Sequence, residues 1–311
     1  MAALGWIESI IRAIMCLSGI IGNNWLGFCS LPKSRSQIRI NDVLFVNLAL
    51  SNLITNYMVD LPEILDFTSN FVEGKKYCGT FNFCSNLSET SSIFTTLFIT
   101  VFWHQKLVGS LKHGGAPVPM DNIRLVAALL VGNWFASVVF SLPHLFFVPV
   151  STGNVSSREC VGVFPSHKTK NIYDTLYLIM ANLAPIIGIV FASIQIAVTL
   201  LQNHGRIKNK NRVGALHSPP EDQRRAGGGD VKMNKFSSSS GNQVRAAKSV
   251  LAVAAVFLSC WLIHILLTIT STISESTVLV EMTSYVGALY TCIIPYIYLH
   301  GLKKLNCSSR D

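Results

Sequence analysis

The chain has 311 residues, 50% of them hydrophobic and only 13% charged, with a mean hydropathy of +0.43. Soluble domains carry roughly a quarter of their residues as charges, so this composition excludes water as the main solvent and points to a bilayer. The formal net charge of +9 raises nucleic-acid binding as an alternative, which the positions of the basic residues remove below.

A helix crossing the hydrocarbon layer needs roughly 20 mostly apolar residues whose backbone is bonded internally. Seven stretches qualify, at 13–31, 41–66, 80–106, 122–148, 173–201, 244–272 and 278–299. The expectation is an all-α integral membrane protein, a single domain built as a seven-helix bundle. The first stretch starts close to Met1 without a basic leader, with Glu8 before it and Arg12 at its edge, and reads as a retained anchor. With seven spans, 19 of the 25 Lys and Arg fall on one side, in the segments after the first, third, fifth and seventh helices. The positive-inside rule then places the N-terminus outside and the C-terminus inside. The basic excess is topology, the lipid bilayer is the partner, and nucleic acid is not.

Within the third stretch, Asn82, Ser85, Asn86, Glu89, Ser92, Thr96 and Thr100 share one stripe at helical spacing. Phe83, Leu87, Phe94, Phe98 and Val101 occupy the other side. Lipid offers no hydrogen bonds, so the polar stripe must face protein or a water-filled cavity. Small hydroxyl and amide residues there serve equally as glue between helices, whereas a carboxylate such as Glu89 marks a functional site by default.

The eight cysteines show no metal-type spacing, and no metal or cofactor is expected. Cys16, Cys29, Cys260 and Cys292 fall in spans, where a small buried thiol is the default reading. Cys78 and Cys160 lie on the outer, oxidising side, where a disulfide is permitted, with Cys84 as a competitor. Of three Asn-x-Ser sequons, at Asn86, Asn154 and Asn306, only Asn154 is placed to carry glycan. The segment 202–243 holds Ser218-Pro219-Pro220, three glycines from Gly227 and four serines from Ser237, a composition that cannot fold alone. It is expected to be a disordered cytoplasmic loop. Its basic ends, including Arg206, Lys208, Arg245 and Lys248, are the candidates for contact with a cytoplasmic partner. Residues 300–311 form a short inner tail, in which Cys307 is open to palmitoylation.

Several short motifs then converge. Gly22-Asn23 in the first helix, Phe257-Leu258-Ser259-Cys260-Trp261 in the sixth, Pro295-Tyr296-Ile297-Tyr298 in the seventh and Pro185 in the fifth occur in the order found in class A G-protein-coupled receptors, which the chain resembles. A Cys78 to Cys160 bridge fits the same resemblance. The departures are informative: Ile294 precedes Pro295 where Asn is usual, Asn52 replaces an Asp, Ile263 replaces the sixth-helix proline, and Phe102-Trp103-His104-Gln105-Lys106 stands where Asp-Arg-Tyr would be. These losses, with the segments Leu48-Ala49-Leu50-Ser51-Asn52-Leu53 and Phe102 to Leu107, resemble the vomeronasal type-1 receptors and their fish olfactory relatives. Bitter taste receptors are the nearest rival within the class.

The resemblance implies a receptor in the plasma membrane of chemosensory neurons that binds a small odorant or pheromone-like molecule and activates a heterotrimeric G protein of the inhibitory type. Ligand contacts are expected from Glu89, Asn82, Ser85, Asn86, Ser92 and His264. Trp261, Pro185, Pro295 and Tyr298 are the expected switch elements, because prolines interrupt backbone bonding and a deep tryptophan can repack. A transporter or channel with Glu89 lining a pathway is the rival from another class. An enzyme is not expected, since neither HExxH nor Gly-x-Ser-x-Gly occurs, and His104, His144 and His264 lie on different helices without a matched carboxylate.

Overall fold

The computed structural model describes residues 2–32, 38–69, 75–112, 117–147, 164–216, 230–274 and 277–301. They form seven long helices in chain order, which we label α1 (Ala2–Ser30), α2 (starting as Ile40–Thr55), α3 (Lys75–Lys112), α4 (Ile123–Phe146), α5 (starting as His167–Tyr177), α6 (Asp230–Ser274) and α7 (Thr277–Gly301). Five of them contain stretches long and apolar enough to cross a membrane; α3 and α7 do not reach that mark among the described residues. The reason for α3 is its place in the bundle: it packs against α2, α4, α5 and α6, and its Ser92 and Thr96 meet Tyr290 of α7. A helix surrounded by protein can carry polar side chains that a lipid-facing helix cannot.

Two helices contain a π-helical turn, and each turn precedes a proline. In α2 the turn Asn56–Asp60 leads into Leu61–Ser69, with Pro62 at its second position. In α5 the turn Leu178–Leu183 leads into Ala184–Leu216, with Pro185 second. A proline ring clashes with the carbonyl four residues back, and widening that turn by one residue removes the clash. The side chains beyond each turn are rotated relative to an uninterrupted α-helix.

α1 is fastened to α7 by close backbone approach. A Cβ on Gly22 would lie 2.8 Å from Pro295 Cγ and 2.9 Å from Tyr296 Cε2, so only glycine fits as the helices stand. Next to it, buried Asn23 donates from Nδ2 to the Thr291 carbonyl of α7 at 3.0 Å and to its own Gly19 carbonyl at 2.9 Å.

Three expectations change. α1 begins at Ala2 rather than near residue 13, which brings Arg12 inside the helix. The segment 202–243 is shorter as a loop than its composition indicated: the backbone is helical to Leu216 and again from Asp230. With their Asn, Ser and Gly these stretches are not strong helix formers alone; they prolong helices already nucleated in the core. Cys29 is disulfide-bonded, not a buried free thiol. It sits in the last turn of α1, where another segment can approach, unlike mid-helix Cys16, Cys260 and Cys292, which are free as expected. Cys78 is also bonded and Cys84 is free. Cys160, Cys307 and Asn154 lie outside the described residues.

Candidate functional site

A cavity of about 290 Å³ opens between α2, α3, α6 and α7 in the half of the bundle nearer Cys78. From α3 it is lined by Phe81, Ser85, Ser88, Glu89, Ser92 and Ile93. From α6 it takes Phe257, Cys260, Trp261 and His264, one face of a helix at three- and four-residue spacing. α7 contributes residues from Val286 to Thr291, including Tyr290, and α2 contributes Thr55, Val59, Asp60 and Glu63.

Four of the six expected ligand residues line this cavity: Ser85, Glu89, Ser92 and His264. Asn82 and Asn86 do not. They share the stripe but sit at its edge, where Asn86 Nδ2 caps the Asn82 carbonyl at 2.9 Å. Glu89 is half-buried. The surface it leaves accessible belongs to the cavity wall. It makes no hydrogen bond or ion pair with any described residue. His264 packs tilted against Trp261 with ring centroids 5.5 Å apart, so the expected switch tryptophan and the histidine one turn away line the same wall.

Sequence reasoning missed the α2 wall. Asp60 and Glu63 reach the cavity because the π turn resets the helical register just before them, a rotation that a strict 3.6-residue period does not anticipate. Glu63 accepts from Arg12 Nη1 at 2.9 Å, and the guanidinium lies 4.5 Å from the Tyr285 ring centroid, tying α1, α2 and α7 together. Asp60 accepts from Asn56 Nδ2 at 2.8 Å. The Pro62 that follows the turn is the signal that could have revealed this wall.

Beneath the cavity lies a buried neutral network. Asn52 Nδ2 donates to Asn23 Oδ1 at 3.0 Å, and Ser92 Oγ donates to Asn52 Oδ1 at 3.0 Å. The Tyr290 hydroxyl lies 3.1 Å from Ser92 Oγ and 3.0 Å from Thr96 Oγ1, while its ring packs edge-on against Phe257. An Asp at position 52 would bring a charge into this network; the Asn present lets amides and hydroxyls satisfy one another without a cation. A second polar set, Asn47, Thr95, Ser91 and Asn133, clamps α2 and α4 to α3. No group of three or more potential metal ligands occurs among the described residues.

The other residues expected from the sequence to act as switch elements are spread through the bundle. Pro185 follows the α5 turn, and Pro295 sits inside α7 against Gly22. Tyr298 is fully buried against Phe45, with ring centroids 4.6 Å apart and a hydroxyl that has no hydrogen-bond partner among the described residues. Where an arginine lock would stand, Lys106 pairs instead with Asp121 in the α3 to α4 connection at 2.6 Å. At the same end, Arg245 and Lys248 line a groove of about 610 Å³ with His300 and Tyr296. Arg206 and Lys208 lie on helical backbone of α5, and their side chains are outside the described residues.

The sequence profile of the 7 transmembrane receptor (rhodopsin family) matches residues 23–300. Chemokine XC receptor 1 of Mus musculus is 24% identical over 202 residues, covering 65% of this chain and 58% of its own length. C-X-C chemokine receptor type 1 of Oryctolagus cuniculus is 22% identical over 310 residues, 94% of this chain and 75% of that one. The Tachykinin-like peptides receptor 86C of Drosophila melanogaster is 25% identical over 58% of this chain and 36% of its own. Among solved structures, squid rhodopsin superposes with a TM-score of 0.72 at 15% identity, over 96% of this chain and 82% of that one. With the profile spanning all seven helices, the chain belongs to the rhodopsin family of seven-transmembrane receptors, signalling receptors rather than enzymes.

Proposed function

We propose that this receptor binds a small odorant or pheromone-like molecule in the cavity between α2, α3, α6 and α7, with the Cys78 end outside the cell. It then activates a heterotrimeric G protein, of the inhibitory type, at the end carrying Arg245 and Lys248. Its setting on this reading is the plasma membrane of chemosensory neurons. The observation that carries the proposal is the cavity itself: about 290 Å³, with the unpartnered Glu89 in its wall and Trp261 beside it. That volume stands at the small end of ligand pockets, which run from about 300 to 1,000 Å³. It suits a compact organic ligand. A ligand acts by binding one helix arrangement more tightly than another, and the π turns and internal prolines provide helices with more than one way to pack.

A second reading is favoured by the relatives, whose names are those of chemokine and peptide receptors. On that reading only a side chain or terminus of a peptide enters the cavity. The test is a concentration–response panel on cells expressing the chain, with organic acids, amines, steroids, bile salts and short peptides, read by nucleotide exchange on inhibitory and other G proteins. Activation by small molecules that is lost in a cavity-filling Ser88→Phe variant at normal surface expression supports the proposal. Activation confined to peptides, or unaffected by Ser88→Phe, refutes it.

A further inference from the structure

The cavity holds three carboxylates and too few cations to match them. Glu63 is neutralised by Arg12 at 2.9 Å, and the same guanidinium is held over the Tyr285 ring. Arg12, Asp60 and Glu63 border one small void between α1, α2 and α7, so this single cation stands beside two acids. Asp60 receives a neutral amide from Asn56 at 2.8 Å. Glu89, from α3, receives nothing from any described residue. No lysine or arginine is found among the described residues of the cavity wall.

A carboxylate away from bulk water is costly unless it is protonated or meets a cation and hydrogen-bond donors. Two acids with less than one cation between them make a site whose electrostatics a positively charged guest completes. The rest of the wall suits the organic part of such a guest. Phe81, Phe257, Trp261 and Tyr290 supply aromatic faces and edges, and aromatic rings attract ammonium groups electrostatically, more strongly where water is excluded.

We infer that the cavity takes a small organic amine in its ammonium form, with Glu89 as its counter-ion and Asp60 as the acceptor for a second amino group in diamines. The inference rests on the cavity being the ligand site and adds the ligand's charge, to which composition and the relatives are silent. Carboxylic acids and sulfated compounds are excluded from this site by the same acids.

The test uses the full-length receptor and matched sets of one carbon skeleton bearing an amine, a hydroxyl or a carboxylate, in mono- and difunctional forms. Signalling is read in cells and thermal protection on purified receptor. Amines should activate and protect, and their hydroxyl and carboxylate counterparts should not. Glu89→Gln should raise the amine concentration for half-response about ten- to a hundred-fold, and Glu89→Asp, which keeps the charge, should recover part of it at equal surface expression. Asp60→Asn should weaken diamines more than monoamines and so reduce the preference between them. Short peptides presenting a lysine or a free N-terminal amine form a further arm; if they alone respond, and through Glu89, the cationic group stands and its source is a peptide. Neutral or anionic ligands that act through the cavity and are blocked by Ser88→Phe would preserve the receptor assignment and overturn the amine. A panel in which no amine activates or protects also overturns it, as does a Glu89→Gln receptor indistinguishable from wild type.

Discussion

Gly22→Ala sets two effects of known sign against each other. In a helix, alanine is favoured over glycine by about 0.8 to 1 kcal/mol. At this position the added Cβ would meet Pro295 Cγ at 2.8 Å and Tyr296 Cε2 at 2.9 Å, well inside contact distance. Neither neighbour yields easily. The proline ring is part of the α7 backbone, and Tyr296 is held by its hydroxyl donating to the Ser18 carbonyl at 2.9 Å. Overpacking of this kind costs about 1 to 3 kcal/mol, so the net expectation is destabilisation by roughly 0 to 2 kcal/mol, against a gain from propensity alone. Gly132 is the control, because a Cβ there meets no atom within 4 Å. Gly132→Ala should be neutral or stabilising. The assay is thermal inactivation of the purified receptor, followed by loss of ligand binding or by thiol accessibility of buried Cys260. If Gly22→Ala proves as stabilising as Gly132→Ala, the close approach of α1 to α7 is not as described.

Asn52→Ala removes two buried partners, Asn23 and Ser92, at 3.0 Å each; at about 0.6 to 1.7 kcal/mol per bond inside a membrane protein, it should lower thermal stability by roughly 1 to 3 kcal/mol, and a variant as stable as wild type would show the network to be dispensable. Tyr298→Phe deletes a buried hydroxyl that has no partner among the described residues. It should leave this arrangement as stable or more so by thermal inactivation, since an unsatisfied polar group is a cost, and a loss above about 1 kcal/mol would mean that the hydroxyl is bonded after all. The bond at Cys78 is expected to run to Cys160, with Cys84 a thiol; mass mapping of the intact protein that finds Cys84 joined to Cys160 refutes it. Glycan should be present and should vanish in Asn154→Gln, whereas glycan at Asn306 would invert the orientation.

Five of the helices were legible because their spanning segments are apolar runs, and hydrophobic burial acts on the run as a whole. α3 was legible for a different reason: its polar stripe repeats at the helical period, so Ser85, Glu89 and Ser92 could be placed on one wall without coordinates. What the sequence could not convey was any feature that breaks the period. Asp60 and Glu63 reach the cavity only through the π turn before Pro62, and Arg12 reaches Glu63 only because α1 extends over residues that composition leaves ambiguous. Asn82 and Asn86 illustrate the opposite limit. They lie on the right stripe, but a stripe is wider than a cavity wall, and which of its residues border empty space depends on neighbouring helices. Cys29 belongs with these, since a disulfide is decided by the approach of a distant segment and not by the helix that carries the cysteine.

Tyr290 is the side chain on which the cavity and the buried network meet. Its ring borders the cavity and packs against Phe257, one turn from Trp261, while its hydroxyl is held by Ser92 and Thr96 of α3. Ser92 in turn reaches Asn52, and Asn52 reaches Asn23, whose amide holds the α7 carbonyl of Thr291. A ligand seated against Tyr290 therefore presses on a chain of neutral hydrogen bonds that closes on the same helix it touched. Such a chain has few intermediate states, because each amide and hydroxyl is either paired or costly. A ligand biases it only through a difference in binding free energy between two arrangements, and about 1.4 kcal/mol of difference changes their ratio tenfold. A contact the size of one charge-assisted hydrogen bond at Glu89 is large enough to do this.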